Sequence, residues 1–528
     1  MSTPIKRRTF LAASIGASAI PNLVRADQQR ILRFIPQADV TALDPVWTSV
    51  YVTRNHAYMV FDTLYGQDSS YAIQPQMVEG HTVEQDGRLW RLRLRDGLLF
   101  HDNTPVLASD CVASISRWAR RDAFGQTLML VTDELSATDD RTIQFRLKQP
   151  FPFLPEALGK IGINMLPVMP QRLANTDPFK QVTEMIGSGP FRFLADERVV
   201  GARTVYERFA GYQPRPQGAP DWTAGPKHVH FDQVHWIVIP DSATAATAMQ
   251  NGEADWWEQP MFDLLPLMNR PDLQTSVVEV SGNIGLLRLN QLHPPFDNPA
   301  IRRALLLALD QSDFMAAVVG NTPNAARTGI GYFAPDTPMA SDAGLTALTS
   351  PRDVDGARRA IQEAGYKGEK LVIMTPSDYP RIDALCNVAA DLFRRCGLQV
   401  EMQATDWGSV IQRRASKAGT DQGGWSAFIT TFSGADMSSP AGNLALRGTG
   451  ESSWFGWPTA PEMERLRNQW LATADQTEQR HIAAEIQAQA FIDVPFLPLG
   501  QFFQPTVQRR SLVDGMKGMT LFWNIRRA

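Results

Sequence analysis

Trp407 and Arg414 stand seven residues apart, just past a run (Leu398, Val400, Met402) that alternates as a strand. An indole offers a flat apolar face, and a guanidinium, here Arg413 or Arg414, offers a planar fork for a carboxylate or phosphate. A second group follows where the predicted strand Trp425 to Thr431 breaks at Phe432-Ser433-Gly434-Ala435-Asp436. Glycine there lets backbone approach a ligand, and Asp436 can anchor an amine through a charge-assisted hydrogen bond contributing about 1.5 to 3 kcal/mol. A third group lies upstream: Trp47, Thr48 and Tyr51 follow Leu43-Asp44-Pro45 on a loop that leaves a strand's end. These residue types hold a small polar solute; they do not make or break bonds. Each also has a plainer use, since Trp407 and Trp425 suit core packing and Arg413 suits solvent.

Other chemistry fits the chain less well. Gly187-Ser188-Gly189-Pro190 lacks the Lys-Ser/Thr of a phosphate loop and the Gly-x-Ser-x-Gly of a nucleophile turn, so it reads as a turn into a strand. His228, His230 and His235 fall close together, but on a strand His235 points away from the other two and no fourth ligand is near. No metal and no cofactor is expected. Cys111, Cys386 and Cys396 form no Cys-x-x-Cys, and the last two lie about 15 Å apart along one predicted helix, so three buried thiols are expected.

The elements that must position the first group form a strand-helix-strand unit. Leu371 to Met374 is a short apolar strand, Ile382, Leu385, Ala389, Leu392, Phe393 and Cys396 make a helical stripe stopped by Gly397, and the 398–402 strand follows. Open sheets of such units bind ligands beyond the carboxyl ends of their strands, where Thr405-Asp406-Trp407 lies. Upstream, Asn298 and Pro299 begin a helix whose buried face carries Ile301, Ala304, Leu305, Ala308 and Leu309. Leu89 to Arg95 alternates after an Asp86-Gly87 turn, Arg141 to Lys148 alternates again, and a short helix is expected over 55–65.

A chain of 528 residues, 44% hydrophobic and 20% charged, calls for two or three globular domains. Lys6-Arg7-Arg8-Thr9-Phe10-Leu11, a mildly apolar run to Pro21 and Val24-Arg25-Ala26 read as an export signal ending near Ala26, of twin-arginine type or an ordinary signal with a basic start. Its removal leaves 47 basic residues against 55 acidic, a net charge of −8 that argues against nucleic acid as partner. No later run of eighteen apolar residues is long enough to span a membrane.

Five stretches in order carry a resemblance: Gly97-Leu98-Leu99-Phe100-His101-Asp102-Asn103-Thr104-Pro105, Gly187 to Phe193, Gly252-Glu253-Ala254-Asp255, Asn290 with Pro294-Pro295-Phe296-Asp297 and Arg302-Arg303-Ala304-Leu305, and Pro495 to Leu499. Together they resemble family 5, the peptide and nickel type, of extracytoplasmic solute-binding proteins of ABC importers, over essentially the whole mature chain. The resemblance implies an α/β fold of periplasmic-binding-protein type II (cluster C): two lobes joined by a hinge plus a small extra α+β domain. It divides the chain into the signal 1–26, a discontinuous lobe I (27–70, 185–280, 498–528), the extra domain 71–184 and a ligand-contacting lobe II (281–497).

It also implies a site. In peptide-binding relatives a Trp-x-x-Asp supplies an aromatic wall and the carboxylate that holds a peptide's amino end; here Phe432 stands for the Trp, Ala435 for the acid, and Asp436 follows one residue late. Arg414 matches a ligand-facing arginine. The expected ligand-binding set is thus Trp407, Arg414, Phe432, Asp436, Trp425, Trp47 and Thr48, around an enclosed space on the order of 300 to 1,000 Å³. The expected partners are a small solute (a peptide, an opine, a glutathione-like molecule or a metal chelate) and the membrane permease, with the protein a periplasmic monomer and no enzyme. The rival classes are an exported hydrolase, which the absent nucleophile turn and His-Glu-x-x-His disfavour, and a chaperone-like module, which would bind unfolded chains without small-ligand saturation.

Overall fold

Leu32 and Phe34 point to one face of the strand Ile31–Ile35, and that face seeds the first sheet of the computed structural model, which describes residues 30–528. The proposed signal at 1–26 lies outside the described residues. Ile31–Ile35 pairs in parallel with Gln233–Ile237 on one side and Trp256–Trp257 on the other. Seven strands result, in the order Leu273–Val277, Pro505–Arg509, Trp256–Trp257, Ile31–Ile35, Gln233–Ile237, Arg203–Arg208, Phe191–Phe193. Phe34 meets Trp236, Trp256 and Phe522 at ring distances of 5.5, 5.1 and 4.9 Å, an aromatic core for this lobe. Asp241 caps the helix Ser242–Asn251, which Gly252 ends in the left-handed region.

The second sheet has six strands, in the order Ala326–Arg327, Leu497–Phe502, Asn283–Leu289, Ala427–Ser433, Lys370–Pro376, Gln399–Thr405. Lys370–Pro376 and Gln399–Thr405 run parallel, joined by the helix Pro380–Arg395, so the strand-helix-strand unit forms as its apolar stripe requires. The helix Pro299–Ala308 begins where Asn298 accepts a hydrogen bond from the Ala300 N–H at 2.9 Å. Inside this lobe Arg288 is fully buried, and no acidic side chain among the described residues pairs with it. Its guanidinium donates to the carbonyls of Ala445, Trp454, Phe455 and Pro495, which fixes the Trp454-Phe455 turn.

Two boundaries differ from the sequence reading. Pro495 to Leu499 was expected to lead back to the first lobe at 498, but Leu497–Phe502 pairs with Asn283–Leu289, and the chain returns only at Pro505. All six of its residues are buried, a pattern that marks a central strand without saying of which sheet. Likewise Phe432 and Ser433 pair with Ile284 and Asn283, so this strand runs Ala427–Ser433 and breaks at Gly434, with Trp425 before it.

The extra unit is a four-stranded antiparallel sheet, Val78–Glu84, Leu89–Leu94, Thr142–Leu147, Thr132–Ala137, covered by Ala108–Trp118 through Cys111, Ile115 and Trp118. Asn103 adopts φ 65°, the left-handed geometry its turn demands. A fully buried ion pair, Arg117 with Asp44 at 2.6 Å, ties that helix to the first-lobe loop. The 55–65 helix forms earlier, as Tyr51–Val60, because the residues ahead of Asn55 are themselves buried. The Gly187-Ser188-Gly189 turn packs on that helix's end, where a Cβ on Gly187 would lie 2.0 Å from the Val60 carbonyl oxygen.

The chain passes between the two large sheets twice, at 278–282 and at 503–504. The crossings touch where Gly282 sits against Phe503, and Gln501, in the strand that leads into the second crossing, donates its Nε2 to the Ser281 carbonyl at 2.8 Å.

Candidate functional site

Asp406 ends the strand Gln399–Thr405 and caps the short helix Trp407–Arg413, accepting from the Ser409 N–H at 2.9 Å. About two turns later this places Arg414 inside the protein, 4% exposed. Its guanidinium lies over Phe455 at 4.6 Å and Trp454 at 5.7 Å, the aromatic pair held by Arg288. Nη2 reaches Ser49 Oγ of the first lobe at 3.3 Å, Nε has no partner, and no acidic side chain among the described residues pairs with it. Burial pushes its pKa down to about 9. A buried, unpaired cation is unfavourable by several kcal/mol unless an anion joins it. Arg413, by contrast, donates to the Gly423 and Gly424 carbonyls and holds a turn.

Beside Arg414 lies a void of ≈ 40 Å³ walled by Trp407, Tyr379 and Phe432 of the second lobe and by Ser49, Val50 and Tyr51 of the first. Tyr379 meets Trp407 edge-on at 5.4 Å. The void is smaller than the space expected for a solute.

Asp436 forms the fastening. Its carboxylate accepts from the Tyr51 hydroxyl at 2.5 Å, the Ile163 N–H at 3.0 Å and Ser433 Oγ at 3.0 Å, so one side chain joins the first lobe, the extra unit and its own lobe. Gly162 makes this possible: a Cβ there would lie 1.6 Å from Asp436 Oδ1. Beyond the clasp, between the extra unit and the second lobe, is a chamber of ≈ 610 Å³ lined by Tyr71, Phe153, Lys160 and Trp470 as well as Asp436.

A second, polar void of ≈ 50 Å³ lies on the first-lobe side and shares Gln37 and Tyr51 with the first. Glu258 in its wall accepts from Gln37 N–H, Asn55 Nδ2 and Thr520 Oγ1 at 2.7, 2.7 and 3.0 Å. Glu279 accepts from Ser281 Oγ at 2.6 Å, and burial pushes its carboxyl up to about 7 although Arg54 and the hydrogen bonds from Ser281 oppose the shift. Arg54 spends two of its N–H groups on Asn55 Oδ1 and stacks on Tyr51 at 4.5 Å. Gln504 is buried, its Nε2 donates to the Pro260 and Pro505 carbonyls, and its Oε1 has no partner. A larger open groove of ≈ 1130 Å³, between 261–275 and 316–323, holds none of these residues.

The structure thus brings Trp407, Arg414 and Phe432 to one void and sets Asp436 at its edge as a clasp. It does not bring the others there. Trp425 is fully buried between Phe428 and Trp457, because a core position at the strand's start takes the same flat side chain as a binding wall. Trp47 and Thr48 contribute backbone carbonyls to Arg121 and Asn164, while the next residues, Ser49 to Tyr51, line the void. His228 and His230 lie ahead of the strand, His235 bonds Gln233, and no metal-holding cluster occurs among the described residues. All three cysteines are buried and free. The residues that sequence reasoning passed over are Tyr379, Glu258 and Glu279. Tyr379 follows the carboxyl end of Lys370–Pro376, so the rule that selected Trp407 would have found it.

Two α/β lobes crossed twice by the chain, shut on a cleft, define a solute-binding protein of the periplasmic type II fold. Residues 72–454 match the model of the bacterial extracellular solute-binding proteins, family 5. Over 99% of its length the chain is 36% identical to the whole of a probable peptide ABC transporter periplasmic-binding protein of Sinorhizobium fredii. It is 23% identical to the glutathione-binding protein of Pectobacterium atrosepticum, over 93% of this chain and 92% of that one. Among solved structures, a periplasmic binding protein of Helicobacter pylori in complex with the peptide STSA superposes with a TM-score of 0.79 at 19% identity, covering 95% and 99% of the two chains. A binding protein from A. tumefaciens R10 in complex with agropinic acid gives 0.77 at 18%, covering 94% and 99%. The chain belongs to the family 5 extracellular solute-binding proteins, a family of transport proteins and not of enzymes.

Proposed function

We propose that this protein is the extracytoplasmic solute-binding component of an ABC importer, exported by a signal cut near Ala26, which carries a small amino-acid-derived solute to a membrane permease. The observation that carries the solute class is Arg414: buried, stacked on Phe455 and paired with no acidic side chain among the described residues, its guanidinium is suited to take a carboxylate. Peptides, glutathione and agropinic acid, the molecules named with the relatives, all bear that group. Trp407 and Phe432 supply the walls. A solute touching Arg414 on one lobe and Ser49 to Tyr51 on the other gains contacts with both only when the lobes close, so it shifts the population toward the shut form that the permease reads. Native mass spectrometry of protein purified from its own periplasm, before and after mild denaturation, tests this. The expected result is a bound mass carrying a carboxylate; a cationic or uncharged occupant would refute the role given to Arg414.

A further inference from the structure

The extra unit is joined to the two lobes in different ways. The chain enters it from the first lobe and returns from it to the first lobe. The joint there is firm: Arg117 meets Asp44 through two buried hydrogen bonds of 2.6 and 3.2 Å, and Asn164 Nδ2 donates to the Pro45 and Thr48 carbonyls. No peptide link leads from it straight to the second lobe, so it travels with the first lobe when the two part. Yet it also meets the second lobe across the chamber beyond the clasp. Phe153 stacks on Trp470 of the helix Pro461–Ala472, with ring centroids 4.6 Å apart and planes 17° from parallel. Along the helix Ala123–Val131, Arg467 donates to Thr127 Oγ1 and Arg447 to the Ala123 carbonyl, each at 3.4 Å. These bonds are longer than ordinary ones. Trp470 Nε1 is buried without a partner, and Arg467, 3% exposed, meets Glu464 only at 4.0 Å. Enclosed polar groups so poorly supplied regain water on exposure, so this contact is held by its stacked rings and weakened by its polar atoms. It is built to break, as the Arg117–Asp44 joint is not.

We propose that Phe153 and the helix Ala123–Val131 form a latch on the second lobe, made and broken each time the lobes close and part, which favours the shut form without taking part in solute recognition. Phe153, Thr127, Arg467 and Trp470 all stand outside the void beside Arg414. The latch therefore adds the same free energy to closure whatever the solute. It raises the affinity for every solute by one common factor, chiefly by slowing release, and leaves their order of preference unchanged. Tightness and specificity are thereby set in different parts of the molecule. The inference rests on the lobe closure of the proposed function and not on the role given to Arg414.

Double electron–electron resonance on the full mature protein, stripped of solute, tests the latch. Spin labels are placed on Val83→Cys of the extra unit and Ile492→Cys of the second lobe, both exposed positions, while the three native cysteines are buried. The expected wild-type distribution is dominated by one short distance. Phe153→Leu should lower the ratio of shut to parted molecules about three- to tenfold, the scale of a lost aromatic pair. Adding Trp470→Leu to it should lower the ratio little further, because the stack is already gone. Thr127→Val, which keeps the shape of the side chain and removes the acceptor of Arg467, should shift the ratio in the same direction. A distribution that Phe153→Leu leaves unchanged, or a wild type already parted, overturns the proposal. Should circular dichroism show that Phe153→Leu does not fold, Thr127→Val decides alone, and an unchanged distribution there overturns the proposal. No solute enters the measurement, so its failure leaves the solute class and the role of Arg414 to be judged by the periplasmic mass measurement.

Discussion

Arg414 is costly to the empty protein, because its burial is compensated only by aromatic faces and one hydroxyl. Replacing it with methionine should therefore leave the melting temperature unchanged or raise it, and should weaken solute binding by about 10- to 150-fold, the equivalent of a lost charge-assisted hydrogen bond of about 1.5 to 3 kcal/mol. Calorimetric titration beside a thermal melt reads both effects, and a lower melting temperature would show that the guanidinium is structural. At this scale the sequence was partly legible. Trp407 and Arg414 stand out because a strand's carboxyl end and a seven-residue spacing place them before any contact is known. Trp425 does not separate from Trp407 by type, and only packing shows which of the two indoles is enclosed. Glu279 was invisible because it comes from a segment between sheets, whose direction no periodicity reports.

Among elements, the loop carrying Gly162 and Ile163, the helix Tyr51–Val60 and the turn after Ala427–Ser433 converge on one carboxylate. Gly162→Ala should push them apart, since its Cβ collides with Asp436 Oδ1 and both sides of the contact are packed. The expected outcome is loss of about 1 to 3 kcal/mol from the closed form and a larger radius of gyration in small-angle scattering without solute. Unchanged scattering would mean that the clasp does not hold the lobes. Strands such as Leu89–Leu94 and the helix Pro380–Arg395 were readable from alternation and from an apolar stripe, signals that lie within one element. The sheet that owns Leu497–Phe502 was not, because a wholly buried strand looks alike from either side.

At the scale of the molecule, acid should loosen the first lobe. His56, in the helix Tyr51–Val60, is fully buried, its Nδ1 meets the Tyr206 hydroxyl at 2.8 Å, and burial pushes its pKa down to about 3. The folded ring stays neutral while the unfolded one gains a proton below about 6.5, so the stability it provides is present above that pH and is lost as pH falls toward 3. Compared with His56→Asn, which cannot titrate, wild type should lose about 1.4 kcal/mol of its relative stability for each pH unit below 6.5. Urea melts at pH 7, 6, 5 and 4 measure the difference, and parallel curves would contradict the assignment.

The two crossings, 278–282 and 503–504, lie side by side and are held by the bond from Gln501 to the Ser281 carbonyl. A pair of short straps set close together works like the two leaves of a door hinge: it permits swing about one line and resists sliding and twist. Parting of the large lobes then has essentially a single degree of freedom. One donor and acceptor dye, attached anywhere on opposite lobes away from that line, would follow the whole excursion in single-molecule fluorescence, and a second pair elsewhere would report the same trajectory rescaled.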